Sequence, residues 1–194
     1  MPAQPARAPP ALVTIETNGF LLRTLVPADV TPRFVEWIND ARMREGLNLP
    51  ELGFTAERLA QFIAGFDGVH HHFIGIFDRA NGLLLGFYTL DVSLAHKVGN
   101  ITASIGEPEY AGQRVFWRTI DALLDHFFTF RNIDKITARI LAKNHGMLFN
   151  FVGNTRFVCE ARLRKECLTP AGERVDVLVF ASFKDGKRED GTAP

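Results

Sequence analysis

Two β-like runs, residues 98–105 and 133–141, bracket one helical segment in which Val115, Ile120, Leu124, Phe127 and Phe128 recur on one face. A helix that crosses over between strands and a tight turn that reverses the chain give opposite strand directions. This sequence contains both. Asn81-Gly82 is a strong hairpin signal between the runs 72–78 and 83–92. Thr169-Pro170-Ala171-Gly172 is a plain hairpin loop between 157–168 and 174–183. The sheet is therefore expected to be mixed, with helices packed on both of its faces.

The remaining elements complete an α/β (α+β) order, β-α-α-β-β-β-α-β-α-β-β. A first strand is expected at 20–25, followed by a turn at Pro27-Ala28-Asp29 and a helix over 30–39. Thr55 is a candidate N-cap for a second helix, whose Leu59, Phe62 and Ile63 share an apolar face. Asn144 opens a short helix through Leu148, Phe151 and Val152. Residues 1–18 are rich in Ala and Pro and read as a loose tail, as do the polar residues 185–194. One domain, 19–184, lies between them.

Composition narrows the function classes. The 194 residues are enough for a single sizeable core. The formal net charge is zero, which gives no drive toward nucleic acid or an anionic membrane. No apolar run approaches the roughly 18 residues of a membrane span, and the N-terminus lacks the apolar core of a secretion signal. The two cysteines, Cys159 and Cys167, have no metal-like spacing and read as reduced thiols. A cytoplasmic protein is the expectation.

The stretch Ile105-Gly106-Glu107-Pro108-Glu109-Tyr110-Ala111-Gly112-Gln113-Arg114-Val115-Phe116 ends a strand, turns, and begins a helix. Unpaired N–H groups and a partial positive charge at a helix start suit a phosphate or pyrophosphate. An ordinary strand-to-helix connection has the same local pattern.

The order of elements and the words along residues 20–183 resemble the GNAT superfamily, in its Rim-type branch. The 105–112 stretch resembles that branch's IG-x-P-x-Y-x-G approach to the acyl-CoA loop. Asn144, Thr155-Arg156-Phe157, Glu160, Gly172 and Asp176 fall where the branch has similar residues. The resemblance implies a GNAT fold with a largely antiparallel sheet and one splayed parallel strand pair. It implies transfer of an acetyl group from acetyl-CoA, used as co-substrate without a metal, to a primary amine on a small molecule or peptide. It is also compatible with a homodimer. The pantetheine arm would pair with the backbone of Ser104, Ile105 and Gly106. The pyrophosphate would rest near Gly112 on the amides of Gln113, Arg114, Val115, Phe116 and Trp117, with Asn144 close by.

Several residues depart from the family pattern. Arg114 and Phe116 stand at the two small positions of the phosphate loop, where glycine lets backbone approach phosphate. Arg114 nevertheless brings a cation that can pair with phosphate. Met147 stands where the branch often has Ser, and a thioether cannot donate a proton. Val152 stands where other branches carry a Tyr acid, and Arg156 replaces a Gly. A non-catalytic module that binds CoA or another ligand is the alternative these departures raise.

An amine substrate is cationic at neutral pH and must lose a proton before it attacks, commonly to a carboxylate or a water. Glu160 and Glu107 are the candidate bases, each weighed against a solvated strand-end charge. His70-His71-His72 cannot all converge on a metal, because successive strand residues alternate faces. His145, next to Asn144, could lie near the thioester, and helix-capping surroundings explain it equally well. Trp37 in the first helix reads as core or a substrate-groove wall rather than a stacking platform for nucleic acid.

Overall fold

The computed structural model describes residues 12–110 and 113–186. Eight strands form one sheet in the order β1-β2-β3-β4-β5-β6-β8-β7. They are β1 Thr14–Thr17, β2 Phe20–Thr24, β3 His71–Asp78, β4 Leu84–Ser93, β5 Val98–Ile105, β6 Lys135–Leu141, β7 Val158–Leu168 and β8 Arg174–Phe183. Every neighbouring pair is antiparallel except β5 and β6. These two are joined by the helix α4, Val115–Phe130, the crossover that makes them parallel.

Two apolar layers cover the sheet. α4 and α5 (His145–Phe151) cover one face, where Ile120, Leu124 and Phe127 meet Ile74, Tyr88 and Ile136. On the other face lie α1 (Pro32–Asn39), α2 (Ala41–Leu47) and α3 (Ala56–Ala64). There Phe34, Trp37, Leu59 and Ile63 pack on Phe73, Phe77 and Phe87. Phe34, Trp37 and Ile38 follow the i, i+3, i+4 pattern of a helix with one buried stripe. α1 starts where Thr31 Oγ1 accepts from the Phe34 amide at 3.1 Å, with Pro32 in the first turn.

Two elements differ from the sequence expectation. Residues 14–17, placed in the loose tail, form β1 and pair with β2 from Thr14↔Arg23 to Thr17↔Phe20. The connection is Asn18-Gly19, with φ of 44° and 87°, a short reversal that a positive-φ pair makes readily. The chain also forms α2, which was not expected. Asp40 ends α1 and its carboxylate caps α2, accepting from the amides of Arg42 at 2.9 Å and Met43 at 3.4 Å.

Candidate functional site

The parallel ladder between β5 and β6 is short. It runs from Val98↔Lys135 to Ile101↔Ala138 and then stops, although both strands continue. Beyond it β5 stays paired with β4 through Ile105, and β6 stays paired with β8 through Leu141. The two strands diverge because β5 leans toward β4. The amides of Gly106 and Glu107 both donate to the single carbonyl of Leu85, at 2.8 and 3.1 Å. Gly86 permits that approach, since a Cβ there would overlap the Ser104 carbonyl oxygen.

The gap opens into a cavity of about 1210 Å³. One end is formed by Arg114, Val115, Phe116 and Trp117 at the start of α4, with Asn144, Met147 and Asn150 of the α5 segment. The other end lies under α1 and α2, among Arg33, Glu36, Trp37, Arg42 and Met43, with Glu107 and Leu141. Ser104, Ile105 and Gly106 run along the wall between the two ends.

At the α4 end, Arg114 holds the N-cap position in left-handed conformation (φ 56°, ψ 33°), and no side chain caps the helix. The left-handed backbone that glycine adopts most cheaply is thus present at Arg114 without the glycine. Phe116 also lines the cavity, yet its ring is buried in the core at 5.0 Å from Phe151. The Gln113 amide donates to Tyr110 O, its side-chain amide donates to Glu109 O, and the residue lies outside the cavity lining. Gly112 falls outside the described residues. Asn144 caps α5 by accepting from the Met147 amide at 3.0 Å and donates to Gly46 O at 3.1 Å, tying α5 to α2 across the cavity. His145 is exposed and is not among the lining residues.

Tyr110 anchors the loop before α4. Its hydroxyl donates to Asp78 Oδ2 at 2.6 Å. That hydrogen bond raises the phenol above its ordinary pKa and holds the Asp78 carboxyl below its own.

The α1 end is built from side chains. Glu107 is only 5% exposed, and both its oxygens accept from Arg33, from Nε at 2.9 Å and Nη2 at 3.1 Å. The pairing raises the Arg33 guanidinium pKa further. Trp37, one helical turn after Arg33, lies flat on Gly106, where a Cβ would overlap its six-membered ring. Arg33, Glu36 and Met43 are not among the candidate site residues of the sequence. Trp37 was weighed only as core or groove wall, and it is both. From the last hairpin only Cys167 and Val177 reach the cavity.

Glu160 is not in the cavity. It is the extra residue at a bulge in β7, between Cys159↔Phe180 and Ala161↔Val179. Its carboxylate meets Lys135 Nζ at 2.7 and 2.8 Å. Lys135 begins the paired part of β6, three residues before Ala138 in the cavity wall, which is roughly 10 Å along a strand. Arg156, at the replaced glycine, donates to Asp125 at 2.7 Å and fastens the start of β7 to α4. Among the three histidines, His70 and His71 are exposed beside Asp67 and Asp91, while His72 is buried against Phe127. Burial lowers the His72 pKa to about 4.

A sequence profile of the acetyltransferase (GNAT) domain family matches residues 20–148. The chain belongs to this family of acyl-CoA-dependent N-acetyltransferases. Its fold is shared with solved structures of low identity. A ribosomal L7/L12 α-N-protein acetyltransferase (RimL) in complex with coenzyme A is 18% identical, with a TM-score of 0.79 over 90% of this chain and 100% of that one. The ribosomal-protein-S5-alanine acetyltransferase of Vibrio fischeri is 18% identical, with a TM-score of 0.76 over 89% and 97%. The spermidine N-acetyltransferase of Vibrio cholerae, in complex with CoA and spermine, is 19% identical, with a TM-score of 0.76 over 87% and 97%. Compared by sequence with curated proteins, the chain has no match.

Proposed function

We propose that the chain moves an acetyl group from acetyl-CoA to a primary amine by direct attack. The observation that carries this reading is the continuous cavity running through the splayed strands, from the start of α4 to the chamber under α1 and α2. A thioester threaded from one end would meet an amine entering from the other. The amine nitrogen would attack the thioester carbon. The C–N bond forms, the C–S bond breaks, the attacking nitrogen gives up a proton to water, and CoA leaves as a thiolate that takes a proton from solvent. Met147 beside the gap cannot supply that proton.

Backbone rather than side chains would hold the cofactor. The first amides of α4 suit a pyrophosphate, and Arg114 adds a cation at the rim. What supports Glu107 over Glu160 among the two candidate bases is that Glu107 lines the cavity, whereas Glu160 is paired with Lys135 outside its lining. Glu107 would orient the ammonium in the chamber while a water carries the proton away.

The replacement at Met147 favours the second reading, a module that binds CoA without turnover. Two measurements separate the readings. Thermal shift and calorimetry with acetyl-CoA report binding, because a ligand held only by the native state raises its stability. Release of free thiol across a panel of primary amines reports transfer. Binding with thiol release supports the enzyme and binding without it supports the module. No heat and no shift at millimolar acetyl-CoA would overturn both.

A further inference from the structure

A buried carboxylate requires a partner, and the partner Glu107 has is unusual in one respect. It is a half-exposed side chain reaching in from α1, inside the chamber where an amine would enter. Two nitrogens of Arg33 are held by Glu107. The third, Nη1, lies 3.5 Å from Glu36 Oε2, and the Glu36 side chain is 67% exposed. Arg33 and Glu36 are three residues apart on α1, on neighbouring positions of the helix surface. The guanidinium therefore stands between a buried carboxylate and an exposed one, and both line the same cavity.

From this we infer that Arg33 is a tethered competitor for the acceptor's ammonium. An entering amine takes the place of the guanidinium on Glu107, and Arg33 turns outward onto Glu36. The inference rests on the acyl-transfer reading for the identity of the incoming cation. The exchange keeps every charge paired. Glu107 passes from one cation to another and is never left alone in a buried site, which would be the costly state. Asp40 also lines the cavity, with its Oδ1 committed to the first amides of α2.

The arrangement makes Arg33 a specificity-determining residue. A bare ammonium must displace a two-pronged, pre-tethered guanidinium using charge alone, and a single ammonium makes the poorer match to a carboxylate. An amine carried on an apolar body gains further contact with Met43, Leu47, Leu141 and Val177 around the chamber. The favoured acceptor is thus a primary amine on an apolar segment, in preference to a small polar amine.

The test uses n-butylamine as a probe cation, titrated into the full chain by calorimetry at a pH where it is charged. Arg33→Gln should bind it about tenfold more tightly than the parent, on the scale of a desolvated charge pair. Glu36→Gln should bind it about twofold more weakly, on the scale of an exposed ion pair, because the displaced guanidinium loses its landing place. Adding Glu107→Gln to Arg33→Gln should remove the gain. For any amine that gives turnover, KM should follow these same opposite directions while kcat changes less. A brace with only a structural role would not move the two variants in opposite senses. Shifts in the same direction, or no gain in Arg33→Gln, would overturn the inference. If Arg33→Gln fails to fold, Arg33→Lys should show an intermediate gain, and no gain there would overturn it equally. Opposed shifts in binding with no thiol release for any amine would leave the competitor in place and remove the acyl-transfer reading instead.

Discussion

The two ends of the cavity are built from different materials. At the α4 end the surfaces are largely main chain: a splayed strand, a left-handed residue at Arg114, and an uncapped helix start. At the α1 end they are side chains from a separate element, with Arg33 on Glu107 and Trp37 on Gly106. Main-chain geometry tolerates changes in side-chain identity as long as the backbone keeps its path. Side-chain geometry does not. The departures from the family pattern fall largely at the main-chain end, where Arg114, Phe116 and Met147 replace smaller residues, and the backbone arrangement is present there all the same.

The largest expected effect probes whether Phe116 belongs to the site or to the core. Its ring packs on Phe151, so Phe116→Ala should lower unfolding free energy by about 3–5 kcal/mol. Acetyl-CoA affinity of the folded fraction should not improve. Denaturant titration and calorimetry measure the two effects separately. Tighter binding would mean that the ring obstructs the phosphate loop and that the main-chain account of this end is incomplete.

Gly86→Ala tests the splay itself. The added Cβ overlaps a backbone oxygen, which cannot rotate away, so β5 must shift toward β6. A loss of about 1–3 kcal/mol is expected, as for other overpacking. The thermal response to acetyl-CoA should fall with it. A variant that loses stability and keeps its full CoA response would separate the gap from the binding site.

Much of this architecture could be read from the sequence because it depends on local pattern. Strands β5 and β8 begin and end where alternation and turn residues place them. The crossover helix follows from its apolar stripe. β1 was missed although Asn18-Gly19 signalled a hairpin, because the Ala/Pro-rich residues before it dominated the reading. α2 has only Met43 and Leu47 as large apolar residues among charged ones, whereas the equally short α5 is marked by Asn144, Leu148 and Phe151. The Arg33–Glu107 pair joins positions 74 apart in the chain, and no local pattern carries such a contact. Why Glu160 lies outside the cavity lining is subtler. A bulge adds one residue to β7 at that point, and strand alternation cannot say which way the extra side chain turns.

A smaller effect is expected at the cofactor end. A non-glycine residue in left-handed conformation costs roughly 1–2 kcal/mol. Arg114→Gly should therefore gain up to about 1 kcal/mol, after the greater flexibility of glycine in the unfolded chain is counted. The same change removes a cation from the rim. If main-chain amides supply most of the phosphate contact, acetyl-CoA affinity should fall only a few-fold. A loss well beyond tenfold would show that a side chain carries this end as well, and the contrast between the two ends would fail.

The smallest effect is the most direct check on the acceptor end. Glu160→Gln removes one partner of an ion pair with Lys135 at the closed end of the β5–β6 ladder, away from the gap. A surface pair of this kind contributes at most about 1 kcal/mol, so the melting temperature should move only slightly. Turnover, if a productive amine is found, should stay within about twofold of the parent at every pH. A general base behaves differently: its removal costs on the order of 10²-fold or more, and the loss shrinks at high pH, where the amine is already neutral. A Glu160→Gln variant with that pH-dependent loss would require the β7 bulge to turn its carboxylate into the cavity in the working enzyme. The side-chain account of the acceptor end, centred on Glu107 and Arg33, would then have to give way to one in which the last hairpin rearranges on binding.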